Sequence, residues 1–257
     1  GVEPCAYVEV RFKNSRKEFY KNTDQYTLNP GDVIVVEGSP GFDLGVVSAA
    51  GELARLQFQR KSTRKSREIK KILRKAGTHD LDKWREAKAL EHDTMHQART
   101  IANSLGLDMK ISDVEYQGDK TKAIFYYTAE GRVDFRELIK KYADAFRIRV
   151  EMKQIGARQE AGRLGGIGSC GRELCCSTWL TDFRSVSTSA ARYQQLALNT
   201  QKLAGQCGKL KCCLNYELDS YLDALKDFPK SSKLKTKKGT ADHIKTDIFK
   251  GIMWYVY

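Results

Sequence analysis

Residues 110–155, KISDVEYQGDKTKAIFYYTAEGRVDFRELIKKYADAFRIRVEMKQI, form the stretch from which the fold is read. Lys110–Tyr116 and Lys122–Thr128 have strand-like patterns, and Gln117-Gly118-Asp119-Lys120 between them is a hairpin signal. Asp134 can cap a helix over Phe135–Ala143, whose Phe135, Leu138, Ile139 and Tyr142 share one face. Residues 146–155 then alternate Phe146, Ile148, Val150 and Met152 against charged positions, as a half-solvated strand does. Upstream, Asp82 can cap a helix running to about Ser104. With a further strand drawn from residues 52–59, this order predicts a ferredoxin-like split βαβ unit.

Outward toward the N-terminus the chain is β-rich. Ala6–Phe12, Lys17–Tyr20, Val33–Glu37 and Leu44–Ser48 are short apolar runs separated by Gly and Pro turns, which predicts a small barrel-like region over residues 1–60. Composition changes at Arg60. Residues 60–75, RKSTRKSREIKKILRK, carry nine basic side chains and one acidic one, and Ile69, Ile72 and Leu73 recur at helical spacing. The expected architecture is therefore α+β in four parts: β-rich residues 1–60, a basic helix plus the ferredoxin-like α/β unit over 61–155, a cysteine-rich helical region over 156–228, and a basic extension over 229–257. Helices are expected from Thr188 or Ser189 to about Leu203 and over Tyr216–Leu225, with a closing strand over Ile252–Tyr257.

No apolar run approaches the roughly 20 residues that span a bilayer, so no transmembrane segment is expected. The formal charge of +13 favours nucleic acid, anionic membranes or acidic proteins as partners without choosing among them. Six of the seven cysteines fall between Cys170 and Cys213, with Cys5 apart, a distribution suited to reduced, ligand-forming thiols in a cytoplasmic protein.

Those six cysteines form a repeated motif, Cys-Gly-x-x-x-Cys-Cys. It occurs as Cys170-Gly171-Arg172-Glu173-Leu174-Cys175-Cys176 and as Cys207-Gly208-Lys209-Leu210-Lys211-Cys212-Cys213. Zinc or an iron-sulfur cluster takes four thiolates, so two half-sites suggest a centre built from Cys170, one of Cys175 and Cys176, Cys207, and one of Cys212 and Cys213. The spacing is not the C-x₂-C knuckle of structural zinc sites, nor a ferredoxin run, so the occupant stays open at this level. Arg158, Glu160, Arg163 and Arg172 flank the glycine-rich loop and could orient it, offset a cluster's negative charge or touch a partner.

The stretches QIGARQEAGRLGGIGSCGRELCCSTWLTDF (154–183), LNTQKLAGQCGKLKCCLNYE (198–217) and GDVIVVEGSPGFDLGVV (31–47) closely resemble the RicT/YaaT family of bacterial PSP1-domain proteins. The resemblance implies a noncatalytic, cytoplasmic regulatory scaffold that assembles with two small helical regulatory proteins. It also implies a complex holding [4Fe-4S] clusters that works with a membrane-associated endoribonuclease in mRNA maturation, while zinc stays the alternative occupant that the cysteine motif itself allows. The membrane would be reached only through a partner. All six motif cysteines, Cys170, Cys175, Cys176, Cys207, Cys212 and Cys213, match the family's pattern.

Two other readings compete. A direct RNA-binding adaptor would use Arg60, Lys61, Arg64, Lys65, Arg67, Lys70 and Lys71 on phosphates, although no RNP-like aromatic motif accompanies them. A dithiol redox enzyme would use the adjacent cysteines, but C-x-x-C is absent and no histidine neighbours the motifs in sequence. His92 and His96 lie four apart on an expected helix without the glutamate of a hydrolytic motif, and read as surface or packing residues.

Overall fold

A computed structural model of the chain describes residues 6–62 and 69–257, with Ser15, Lys61 and Ser62 described in backbone only. The chain divides into two compact units, Gly1–Arg163 and Leu164–Tyr257.

In the first unit, β1 (Tyr7–Arg11), β2 (Lys17–Lys21), β3 (Val33–Glu37) and β4 (Phe42–Ala49) precede helix α1 (Gly51–Ser62) and strand β5 (Ile72–Lys75). These five strands form one antiparallel sheet in the order β2-β1-β4-β3-β5. Its apolar face buries Val8, Val10, Tyr20, Ile34, Val36, Val47 and Ile72. The sheet is open, which corrects the barrel-like expectation: its two edges meet at one isolated bridge, Lys21 to Lys71, rather than along a hydrogen-bonded ladder. Closure needs continuous pairing around the ring.

Two elements differ from expectation in this region. Residues 52–59 are helical, not a strand, because Ala54 and Phe58 at i,i+4 spacing both face the sheet. Ala54 is fully buried, and Phe58 stacks on Tyr7 at 4.2 Å and meets Phe19 edge-on at 5.4 Å. Ile72–Lys75 is a strand rather than the end of a basic helix. The open edge of β3 offers it a ladder, pairing Val36 with Ile72 and Ile34 with Lys75, and buries Ile72 while Leu73 stays exposed.

Helix α2 (Thr78–Ser104) follows, then β6 (Lys110–Tyr116), β7 (Lys122–Thr128), α3 (Arg136–Phe146), β8 (Arg149–Gln154) and α4 (Ala157–Leu164). β6 and β7 form the expected hairpin, with Lys120 in the left-handed region at φ 63°. β8 lies parallel and directly beside β7, in register from Lys122–Arg149 to Tyr127–Gln154. The ferredoxin-like arrangement needs a strand between those two, and the 52–59 strand that would fill the slot is α1, so the sheet has three strands. α2 and α3 cover it through Ala87, Ala98, Ala102, Leu138 and Tyr142 against Ile111, Val114 and Phe125. The Tyr142 hydroxyl donates to the Ala98 carbonyl at 2.8 Å, which satisfies the polar atom this packing buries.

A buried ionic cluster joins the two sheets. The Arg16 guanidinium donates to both oxygens of Glu115 at 2.9–3.3 Å and also reaches Glu18 and Asp43. The Tyr126 hydroxyl completes Glu115 at 2.7 Å. Beside it, Lys13 Nζ donates to Glu91, Asp113 and the Val114 carbonyl at 2.7–2.8 Å. The two hairpin turns interlock as well: Gly118 N–H donates to Asp43 and Phe42 N–H to Asp119. Gly41, at φ +78°, sits where any Cβ would lie 1.9 Å from Asp119 Oδ2.

In the second unit, α5 (Cys175–Thr178), α6 (Thr188–Tyr193), α7 (Thr200–Leu203) and α8 (Cys213–Leu225) surround a small core of Ala190, Ala191, Leu203 and Leu214. The helix expected over 188–203 is interrupted, since Gln195 takes a left-handed φ of 55° and Asn199 caps a new turn at Gln201 and Lys202. β9 (Lys233–Thr236), β10 (Gly239–Asp247) and β11 (Ile252–Val256) make a three-stranded antiparallel meander.

Replacing Arg16 strands two buried carboxylates, so Arg16→Met is expected to cost ~3–5 kcal/mol in urea unfolding, and Arg16→Lys to recover only part because ammonium lacks the bidentate fork. Burial pushes the Asp43 carboxyl up to about 6, against the opposing pull of Arg16. The folded state thus holds that proton more tightly than the unfolded chain. The associated stability is present below the ordinary carboxylate value and lost as pH rises through about 6. Asp43→Asn should gain on the wild type in urea midpoint as pH rises from about 4 to about 7; a pH-independent difference would contradict the assignment.

Candidate functional site

The cysteine motifs fold as a structural repeat. In the first, Gly168 N–H donates to the Arg172 carbonyl (2.8 Å), Gly171 N–H to Gly168 (2.9 Å) and Leu174 N–H to Gly166 (3.0 Å). In the second, Gly205 N–H donates to Lys209 (2.8 Å), Gly208 N–H to Gly205 (3.0 Å) and Lys211 N–H to Leu203 (2.9 Å). Every donor and acceptor is displaced by the same interval that separates Cys170 from Cys207, 207 − 170 = 37 residues. The isolated bridges Ile167–Glu173 and Ala204–Leu210 obey it too. So do the first helical bonds after each turn, Trp179 N–H to Cys175 and Tyr216 N–H to Cys212, both 3.2 Å. Each motif is a tight knuckle closed by a left-handed glycine, Gly171 at φ +78° and Gly208 at φ +74°, and followed by a helical turn that begins at its paired cysteines.

The two knuckles face each other. Trp179 and Tyr216, which are 37 residues apart, meet with ring centroids 4.5 Å apart and planes tilted by 58°, while both remain exposed, at 51% and 63%. Cys175 and Cys212 are also 37 residues apart, and Cys212 is among the groups that, after burial, push the Cys175 thiol up. Gln206 Nε2 donates from the second knuckle to the Ile167 carbonyl of the first. A residue meeting its own repeat partner is the signature of a local two-fold relation, here inside one chain.

This arrangement overturns the iron-sulfur expectation and its zinc alternative. Among the described residues, no three Cys, His, Asp or Glu side chains converge so as to hold a metal ion. The reason lies in how the knuckles spend their sulfurs. Cys170 is exposed at its turn, Cys207 Sγ is held to the Lys209 carbonyl of its own loop at 3.9 Å, and Cys176 is buried. Burial first, and neighbouring sulfurs second, push the Cys175 and Cys176 thiols up; for Cys213 burial is followed by Glu217. Cys5 lies outside the described residues.

The flanking charges go elsewhere. In the first unit, Glu160 accepts from Ser112 at 2.9 Å and Lys110 at 3.2 Å, and Arg163 pairs with Asp113 at 2.6 Å while lying 3.5 Å over the Tyr126 ring. Arg158 is half-buried on α4, and Arg172 is exposed in its turn. Of the basic segment, Arg60 and Lys61 end α1, the Lys70 carbonyl accepts from Lys21 N–H, and Lys71 N–H donates to Glu37. Arg64, Lys65 and Arg67 lie outside the described residues. His92 and His96 do meet, with ring nitrogens 3.2 Å apart on the exposed face of α2.

Sequence reasoning missed the aromatic pair and the Gln206 tie. The 37-residue interval that relates the cysteines also relates Trp179 to Tyr216, so carrying it three residues past each motif would have found them.

Three family models match: PSP1 C-terminal conserved region over residues 70–155, PSP1-like protein third domain over 185–228, and YaaT C-terminal domain over 235–257. The chain is 40% identical over 249 residues to Stage 0 sporulation protein YaaT of Bacillus subtilis (strain 168), covering 96% of this chain and 88% of that protein. It is 29% identical over 166 residues to an uncharacterized protein of Schizosaccharomyces pombe (strain 972 / ATCC 24843), covering 56% of this chain and 22% of that one. No solved structure matches significantly. Among the described residues, no helix is long and apolar enough to cross a membrane.

Both knuckle glycines face open space, so only backbone strain opposes a side chain there. Gly171→Ala and Gly208→Ala are each expected to cost roughly 1–2 kcal/mol in thermal unfolding. Equivalent losses support the repeat; a neutral result at one site with a loss at the other would contradict it.

Proposed function

The chain belongs to the YaaT family of PSP1-domain proteins, and from that membership we propose that it regulates a developmental programme of the sporulation type by binding other proteins. The observation that carries this reading is the 40% identity to a sporulation protein across 96% of the chain. The second unit supplies a suitable surface. Trp179 and Tyr216 form an exposed aromatic pair on a duplicated base, and buried anchors of interfaces are enriched in those two residue types. The family is regulatory and noncatalytic. The partners proposed are those the resemblance implies, two small helical regulatory proteins and an endoribonuclease. Direct RNA binding is not advanced as a second reading, because the described parts of the basic segment are split between a helix end and a sheet edge rather than sharing one face.

The test is complementation. Expressed in Bacillus subtilis lacking its own YaaT, this chain should restore heat-resistant spore counts. The double variant Trp179→Ala/Tyr216→Ala should accumulate normally yet lower those counts at least tenfold. Normal accumulation of the unaltered chain without rescue would refute the proposal.

A further inference from the structure

Residues 229–257 hold seven lysines against two aspartates, with no arginine or glutamate. They contain the β9-β10-β11 meander, whose register sorts the side chains, because opposed residues of an antiparallel ladder share a face. One face carries Trp254 and Val256 on β11, opposite Lys245 and Asp242 on β10, with Lys233 and Lys235 beyond on β9. The extra residue at the Ile244 bulge keeps Asp242 and Lys245 on the same side. All six of these side chains are exposed, Trp254 at 57%, whereas Ala241 and Thr246 on the other face are buried. Phe249, 85% exposed in the β10–β11 turn, adds a second ring next to Lys250. Lys233 sits 3.9 Å from Asp242, but Lys230, Lys235, Lys237, Lys238, Lys245 and Lys250 form no ion pair among the described residues.

We propose that this face is a docking surface for single-stranded nucleic acid, whose phosphates meet the unpaired lysines while a base stacks on Trp254. The charge complementarity is direct, since six cations without partners face a polyanion. Lys245 stands one strand from Trp254 and Lys235 two, roughly 5 and 10 Å away, so a base on the indole carries its phosphates over the lysines. A single strand leaves its bases free to stack in this way; a duplex does not. Lysine ammoniums are point charges without a fork, so the contacts hold the backbone and read no sequence. Asp242 and Asp247, which lie between the two rows, can accept from base amino groups, whereas a lipid surface would strip them of water without replacing it. The surface belongs to the second unit, apart in sequence from the basic segment at residues 60–75, and the inference stands whether or not complementation succeeds.

The full chain would be titrated by fluorescence anisotropy against a fluorescein-labelled oligothymidylate of about 12 nucleotides, a length one such platform covers. Binding should weaken as salt rises, and the triple variant Lys235→Gln/Lys237→Gln/Lys245→Gln should lower the slope of log affinity against log salt by about 2. Trp254→Ala should weaken binding roughly fivefold or more, Trp254→Phe should recover most of it, and a duplex of the same length should bind about tenfold more weakly than the single strand. Ultraviolet cross-linking of the unaltered chain, followed by trypsin, should place the adduct on the peptide that begins at Gly251, which locates the site without relying on any variant's folding. Equal affinity for the duplex, unchanged affinity in Trp254→Ala, or an adduct confined to other peptides would overturn the proposal. So would displacement of the oligonucleotide by polyglutamate or by phosphatidylglycerol vesicles at equal charge concentration, which would make the face a site for acidic protein or for lipid.

Discussion

The first unit depends on one buried ion pair, Arg16 with Glu115. Its two partners come from different sheets: Arg16 from the turn between β1 and β2, Glu115 from β6. Two carboxylates and a guanidinium withdrawn from water are costly unless every lone pair and N–H finds a partner. Here Glu115 is completed by Tyr126, Asp43 by the Gly118 and Leu44 amides, and the Arg16 plane lies 4.0 Å from the Phe12 centroid. Such a cluster tolerates one relative placement of the two sheets and penalises the others. That is why the β3–β4 turn and the β6–β7 turn meet in register at Gly41 and Asp119 without a large apolar interface to hold them.

The second unit is organised on a different basis. Its apolar core is small, four buried residues with a few partly buried neighbours, so repetition takes over part of the work of specification. Each knuckle is a backbone hydrogen-bond pattern that needs one left-handed glycine and little else, and once it forms twice, the copies can pack through like positions. Trp179 against Tyr216 is the outcome. An exposed aromatic pair set on such a base presents contact area whose side-chain freedom is already restricted, which suits a protein that acts by binding.

Legibility in the sequence followed the range of the forces involved. The β6–β7 hairpin, α2, α3 and β8 rest on local patterning, and their sequence signals correspond to the observed elements within a few residues. Residues 52–59 and 72–75 were decided by tertiary neighbours. Phe58 turned α1 into a helix by stacking on Tyr7, and the free edge of β3 turned Ile72–Lys75 into a strand. Moving one strand out of the central sheet then removed the ferredoxin-like arrangement, so two local misreadings had a topological consequence. The ionic cluster was illegible for a related reason: nothing at Arg16 announces a carboxylate 99 positions away.

The cysteines show the same limit at the level of function. Spacing alone displays two half-sites, and four thiolates are the natural sum of two halves. Three-dimensional duplication imposes another rule. Two copies related by a local two-fold bring position i against position i+37 near the axis, as Trp179 meets Tyr216. Cys170 and Cys207 lie in the turns, one exposed and the other bonded within its own loop. A convergent centre would require the turns to fold back over the axis, but the Gly168–Arg172 and Gly205–Lys209 hydrogen bonds hold each turn closed on itself. What the repeat presents outward is the aromatic pair, Trp179 against Tyr216, both exposed.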